Sequence, residues 1–177
     1  MLPSLLITHK EENTCLIDNF KRAFDLVLGF EGGYTDDPSD SGGKTKFGIS
    51  KKAYPDEDIV NLTLNRAREL YKRDYWDRCK CDLLPNNLDI MVFDTAVNMG
   101  IGYASKSLQK SIGATADGKI GPQTLRLVAV SKPSDVIAKY MTRRTLRYHK
   151  IAVQNPKNEK FMKGWINRVF SLYLKII

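Results

Sequence analysis

The sequence predicts a mainly α protein in which a small lobe of loop and β-hairpin faces a larger helical lobe across a cleft. Three observations carry this expectation. Apolar residues recur at helical spacing along most of the 177 residues. One short run, Thr45 to Ile49, reads as a strand. Between the first helix and that strand lies FEGGYTDDPSDSGGKTKFGIS, from Phe30 to Ser50, whose glycine pairs, Pro38 and clustered acids rule out a continuing helix.

The elements follow in order. Residues 1–17 read as an N-terminal extension, a loose arm or an extra helical turn. Phe20, Ala23, Phe24, Val27 and Leu28 mark the first helix, with Asp18 or Asn19 as its cap, and it ends where Glu31 begins. Leu62 to Trp76 is a second helix with Ala67, Leu70, Tyr71 and Tyr75 on one side. Pro85 opens a third, central helix that buries Leu88, Met91, Val92, Thr95, Ala96 and Met99. Asp94 and Asn98, four apart, share a face of it. Asp94 reads as structural, and the role of Asn98 stays open. A short helix over Ala104 to Ile112 stops at Gly113. Asp117 to Thr124 is a turn, with Gly118 and Gly121 serving its geometry and Pro122 starting the next helix. Ser134 caps a longer helix whose outer face carries Lys139, Arg143, Arg147 and Lys150. Asn155-Pro156 turns the chain into a final helix with Phe161, Trp165, Val169, Leu172 and Tyr173 on one stripe.

At this length one domain, or one with a small appended lobe, is expected, and 42% hydrophobic residues suffice for a core. The net charge of +8 implies attraction to a polyanion, whether nucleic acid, anionic lipid or an acidic envelope polymer. Charge does not choose among these, but no nucleic-acid-binding motif is present. Cys79-Lys80-Cys81 is too tight for an ordinary bridge and has no histidine beside it, so these cysteines and Cys15 read as reduced thiols and no metal or cofactor is expected. Met1 to Ile7 is apolar, yet too short to span a membrane and without the basic start of a signal peptide. A protein made in the cytoplasm, needing outside help for export, is the expectation.

The chemistry is concentrated in the acidic loop. Gly32 and Gly33 let the chain turn sharply after Glu31, bringing Asp36, Asp37 and Asp40 back toward it. Paired carboxylates are what glycosidic hydrolysis needs: one protonated to donate to the leaving oxygen, one ionised. Phe30 and Tyr34 flank Glu31 with apolar surface that would raise its pKa, so Glu31 is the candidate acid. Asp40 is the candidate second carboxylate, with Asp36 and Asp37 as rivals that also suit a turn. Thr45 offers a hydroxyl to position water. Tyr75 and Trp76 either pack in the core or line a sugar cleft. His9 and His149 lie far along the chain from the acids, and no nucleophile elbow is present.

The run Glu31 to Ser50 resembles the signature of glycoside hydrolase family 108, lysozyme-like N-acetylmuramidases of phages and bacteria. Asp74-Tyr75-Trp76-Asp77, Phe93 to Gly100, Leu108-Gln109, Asp117 to Thr124 and Gly164 to Arg168 resemble further blocks of that family in the right order, covering about residues 20–177. The resemblance implies a lysozyme-like fold, with a muramidase domain over 18–112 and a helical peptidoglycan-binding region over 113–177 packed on it as one globule. It implies cleavage of the β-1,4 bond between N-acetylmuramic acid and N-acetylglucosamine. Glu31, Asp40 and Thr45 resemble the Glu-Asp-Thr constellation of phage lysozymes, although the best-known of those place the threonine where Lys46 stands here. Tyr34, Tyr75, Trp76, Asn98 and Gln109 are the candidates for contacting substrate. A monomeric phage or prophage endolysin is expected, released to the wall by a holin or a secretion system. The alternative is a non-catalytic binder of peptidoglycan or another polyanion, using the 117–124 turn and the basic helices; an intact Glu31 argues against it.

Overall fold

The computed structural model describes residues 9–29 and 44–176, with side chains from Asn19 onward. Glu31, Tyr34, Asp36, Asp37 and Asp40 lie outside the described residues. Seven α-helices and one two-stranded hairpin make up the described chain, with no helix among them long and apolar enough to cross a membrane.

Helix α1 (His9–Leu28) is continuous through Asp18 and Asn19, so neither caps it, and the boundary expected at residue 17 falls inside a helix. Its Phe20, Ala23, Phe24 and Val27 are buried. Strands β1 (Thr45–Lys46) and β2 (Ile49–Ser50) pair antiparallel, Thr45 opposite Ser50. The β-hairpin expected in this lobe is formed within the run Thr45 to Ser50, which reverses at Phe47-Gly48, both at positive φ (53° and 73°), the handed turn that matches strand twist. Tyr71 Oη donates to the Phe47 carbonyl at 3.0 Å and fastens this lobe to the helices.

Helix α2 (Leu64–Tyr71) is capped by Thr63, whose Oγ1 accepts from Arg66 N. It runs into a π-helical turn, Lys72–Trp76, closed by Asp77 N donating to Lys72 O. The wider turn advances the helix by one residue. Trp76, rather than Tyr75, therefore continues the buried face of Ala67, Leu70 and Tyr71. Its ring packs edge-on against Phe20 and Phe93, with centroids 5.3 and 5.5 Å away.

Helix α3 (Leu88–Met99) is the centre of the molecule, with Leu88 through Ala96 all buried. It packs against α1, α4 (Ile101–Ser111), α6 (Pro133–Gln154) and α7 (Met162–Ile176). Pro85 stands three residues before α3, its carbonyl accepting the first turn's Leu88 and Asp89 N–H groups. Helix α5 (Pro122–Val130) begins at Pro122 as expected. Gly118 needs its positive φ of 84° for the turn before it, whereas Gly121, at φ −108°, has extended backbone open to any residue. At α6 the cap position is Lys132 with Pro133 in the first turn, so Ser134 lies inside the helix.

Two buried polar groups anchor α3. Asp94 is wholly buried between α6 and α7, 2.5 Å from Arg144 Nη1 and 2.8 Å from Arg168 Nη2. Its expected structural role is thereby given partners. Asp89, at the α3 start, accepts from Asn19 Nδ2 and Ile90 N, yet burial pushes its carboxyl from 3.8 to about 6. A raised acid stabilises the fold while protonated and loses that contribution as pH climbs through the folded value. At about 1.4 kcal/mol per pH unit, Asp89 should cost about 3 kcal/mol at pH 7. Urea unfolding of wild type and Asp89→Asn should show their difference moving by about that amount between pH 4 and 7. A difference independent of pH would refute it.

Candidate active site

A cleft of about 690 Å³ opens between the loop after the hairpin and the helical lobe. Its walls include Tyr54 and Glu57 from the loop, Arg66 from α2, Arg73, Asp74 and Tyr75 from the π-helical turn, and Ile101 at the start of α4. The π turn is what puts Tyr75 here, half-buried against the Tyr71 ring at 5.7 Å. Tyr75 is thus the expected substrate candidate that the structure places on the cleft.

Hydrogen bonds fix the charge of this wall. Arg73 donates to both oxygens of Asp74 at 2.7 Å, and Tyr54 Oη donates to Asp74 at 2.9 Å. The Arg73 bonds, opposed by partial burial, hold the Asp74 carboxyl below its ordinary range. Burial, reinforced by the Asp74 bond, pushes the Tyr54 hydroxyl well above its own. Glu57 is likewise held low by its hydrogen bonds from Arg66. At neutral pH Asp74 and Glu57 are ionised and engaged, and neither has a proton to give.

The other candidates divide. Thr45 opens β1, half-buried and paired with Ser50. Asn98 ends up exposed at the C-terminal end of α3, bonded to Tyr148 and lining a separate pocket. Trp76 and Gln109 do not face solvent. Trp76 is completely buried and gives its indole N–H to Asp82; the π-turn register sends it inward. Gln109, 1% exposed, donates from Nε2 to Asp117 and the Lys119 carbonyl and accepts from Gly118 N, so it clasps the 117–124 turn from inside. Neither is available to a ligand. Sequence reading missed Tyr54, Arg73 and Arg78 on the cleft and gave Asp74 a place in a motif but no role at the site, since a contact such as Tyr54 to Asp74, twenty positions apart, leaves no periodic signal.

A second feature is basic. Lys110, Lys132, Lys139 and Arg143, with Asp135 beside Lys132 as a partial counter-charge, line a depression of about 440 Å³ where the end of α4 meets the start of α6. Replacing all four by Gln should weaken pull-down on insoluble cell envelopes at low salt. The effect should vanish near molar salt, where the screening length falls from about 30 Å at 0.01 M to about 3 Å. Adsorption unchanged by the substitutions or by salt would count against an electrostatic role.

The glycosyl hydrolase 108 family profile matches residues 24–100, and the profile described as "Predicted Peptidoglycan domain" matches residues 103–170. No curated protein matches significantly. Among solved structures, that of Brucella abortus SagA matches with 30% sequence identity and a TM-score of 0.76, over 90% of this chain and 94% of that one. With a lysozyme-like, mainly α fold and this likeness along nearly its whole length, the chain belongs to the glycosyl hydrolase 108 family and is a glycoside hydrolase that acts on peptidoglycan.

Proposed function

We propose that the protein is an N-acetylmuramidase (lysozyme) that cleaves the β-1,4 bond between N-acetylmuramic acid and N-acetylglucosamine, with Glu31 as general acid. The observation that carries this reading is the state of the cleft wall. Asp74 and Glu57 are tied to arginines and held ionised, so neither of these two supplies the proton for the leaving oxygen. In the sequence Glu31 falls between α1 and β1, within the matched hydrolase segment. Glu31 would protonate the glycosidic oxygen as the C–O bond breaks, and Asp40 would remain ionised to stabilise the oxocarbenium-like transition state or activate water. Thr45 would hold that water. Tyr75 offers an aromatic wall for a sugar ring. The family likeness supports action on the cell wall; in this reading the protein is a phage or prophage endolysin acting with a holin or secretion partner.

The test is mass spectrometry of purified peptidoglycan after digestion. New reducing ends at N-acetylmuramic acid are the expected product. Reducing ends at N-acetylglucosamine, or cleaved peptides with intact glycan, would refute the muramidase reading.

A further inference from the structure

The second pocket, about 190 Å³, lies where the two matched segments meet: Asn98 and Met99 come from the end of α3, Tyr103 from α4, Arg147, Tyr148 and Ile151 from α6, and Trp165 from α7. Its hydrogen-bond polarity can be read outward from the core. Buried Arg144 has only donors, and it gives Nε and Nη2 to the Tyr148 oxygen at 3.3 and 3.2 Å. Tyr148 must therefore accept from Arg144 and direct its one proton to Asn98 Oδ1, 2.5 Å away. This chain settles the orientation of Asn98: its oxygen faces Tyr148 and its NH₂ group is left for the pocket. Trp165, stacked on Tyr148 at 4.9 Å, forms an aromatic wall, and Arg147, 5.9 Å from the Tyr103 ring, adds a guanidinium. The Tyr103 hydroxyl proton is spent on the Arg143 carbonyl.

The pocket thus offers donors and positive charge, with no acidic residue among the described residues that line it and with Met99 and Ile151 as apolar flanks. That lining suits a small, acceptor-rich anion. It is smaller than the about 300–1,000 Å³ usual for drug-sized ligands, which suits the end of a peptide better than a run of sugars. We propose that this pocket seats the free C-terminal carboxylate of a peptidoglycan stem peptide, with Asn98 and Arg147 on the carboxylate and the terminal alanine methyl against Met99 and Ile151. The assignment rests on the peptidoglycan reading above. It gives the enzyme a means to select strands by the state of their stems, at a place distinct from the 690 Å³ cleft.

The test is NMR of the side-chain N–H signals of Trp165 and Asn98 in the full chain. Three probes are titrated: the tetrapeptide stem ending in D-alanine, the same peptide with a C-terminal amide, and chitotetraose. The free-acid peptide should shift both signals, and the amide should bind at least about tenfold more weakly, since it forfeits a charge-assisted bond. Asn98→Asp keeps an acceptor for Tyr148 but turns the pocket-facing donor into a negative acceptor, and should abolish binding. Arg147→Gln, at an exposed position, should weaken it about tenfold. Equal binding of acid and amide, unimpaired binding by both variants, or shifts with chitotetraose in place of peptide would each overturn the assignment. Release of reducing ends by wild type, scored in parallel, judges the muramidase reading separately, so an active enzyme whose signals ignore the peptide overturns the pocket alone.

Discussion

Glu31→Gln is expected to fold normally and to lose nearly all lytic activity. Glutamine matches the shape and hydrogen-bonding reach of glutamic acid but has no proton to give a leaving alkoxide at neutral pH. General acid catalysis alone contributes about 10²–10⁴-fold. Asp40→Asn should also be severe, softened if Asp36 or Asp37 takes over part of the charge. Thr45→Ala should cost least, because a water can be held by more than one group. Turbidity loss of chloroform-permeabilised Gram-negative cells measures activity, and circular dichroism checks the fold. Lysis within a few-fold of wild type by a folded Glu31→Gln protein would remove Glu31 from the mechanism and the acid-catalysed reading with it.

The largest stability effect is expected at Asp94. One carboxylate, 0% exposed, sits between two guanidiniums, Arg144 at 0% and Arg168 at 9%. Asp94→Asn preserves the volume but leaves two cations buried without a counter-charge. Breaking a buried pair in this way costs about 3–5 kcal/mol, against a total stability of about 5–15 kcal/mol for a typical domain. Urea or thermal unfolding should show the loss directly. A penalty under about 1 kcal/mol would mean that water or local rearrangement compensates the charge. The double change Asp94→Asn with Arg168→Met should recover part of the loss, because it removes one of the stranded cations.

Much of the fold is legible in the sequence because its helices carry strong periodic signals: α3 at Leu88, Met91, Val92 and Ala96, and α7 at Val169 and Leu172, are buried where the spacing puts them. What escaped is what spacing cannot encode. A regular helix through Trp76 turns Tyr75 inward; the π turn reverses the two, and nothing in the local composition announces an extra residue per turn. Capping propensity favours Asp18, Asn19 and Ser134, but α1 continues upstream and Pro133 can take the first turn of α6 without losing a hydrogen bond, since it has no N–H to satisfy. Tyr75, on the cleft, and Asn98, in the separate pocket, sit within recognisable motifs. Gln109 belongs to a motif too, yet its motif maintains a turn. The arginines that set the charge of Asp74 and Glu57 become visible only once the chain is folded, as does the route from Arg144 through Tyr148 that orients Asn98.

The Asp94 cluster also bears on how this protein can be recombined. The hydrolase profile ends at residue 100 and the peptidoglycan profile begins at 103, which invites cutting between them and joining the halves to those of a relative. The electrostatic seam ignores that border: Asp94 and Asn98 lie on one side, Arg144, Tyr148 and Arg168 on the other. A chimera that imports a C-terminal half without matching arginines inherits a buried anion with no partner, and one that imports the N-terminal half alone strands two cations. Successful grafts should therefore exchange these five positions as a set, whatever the junction chosen in the chain.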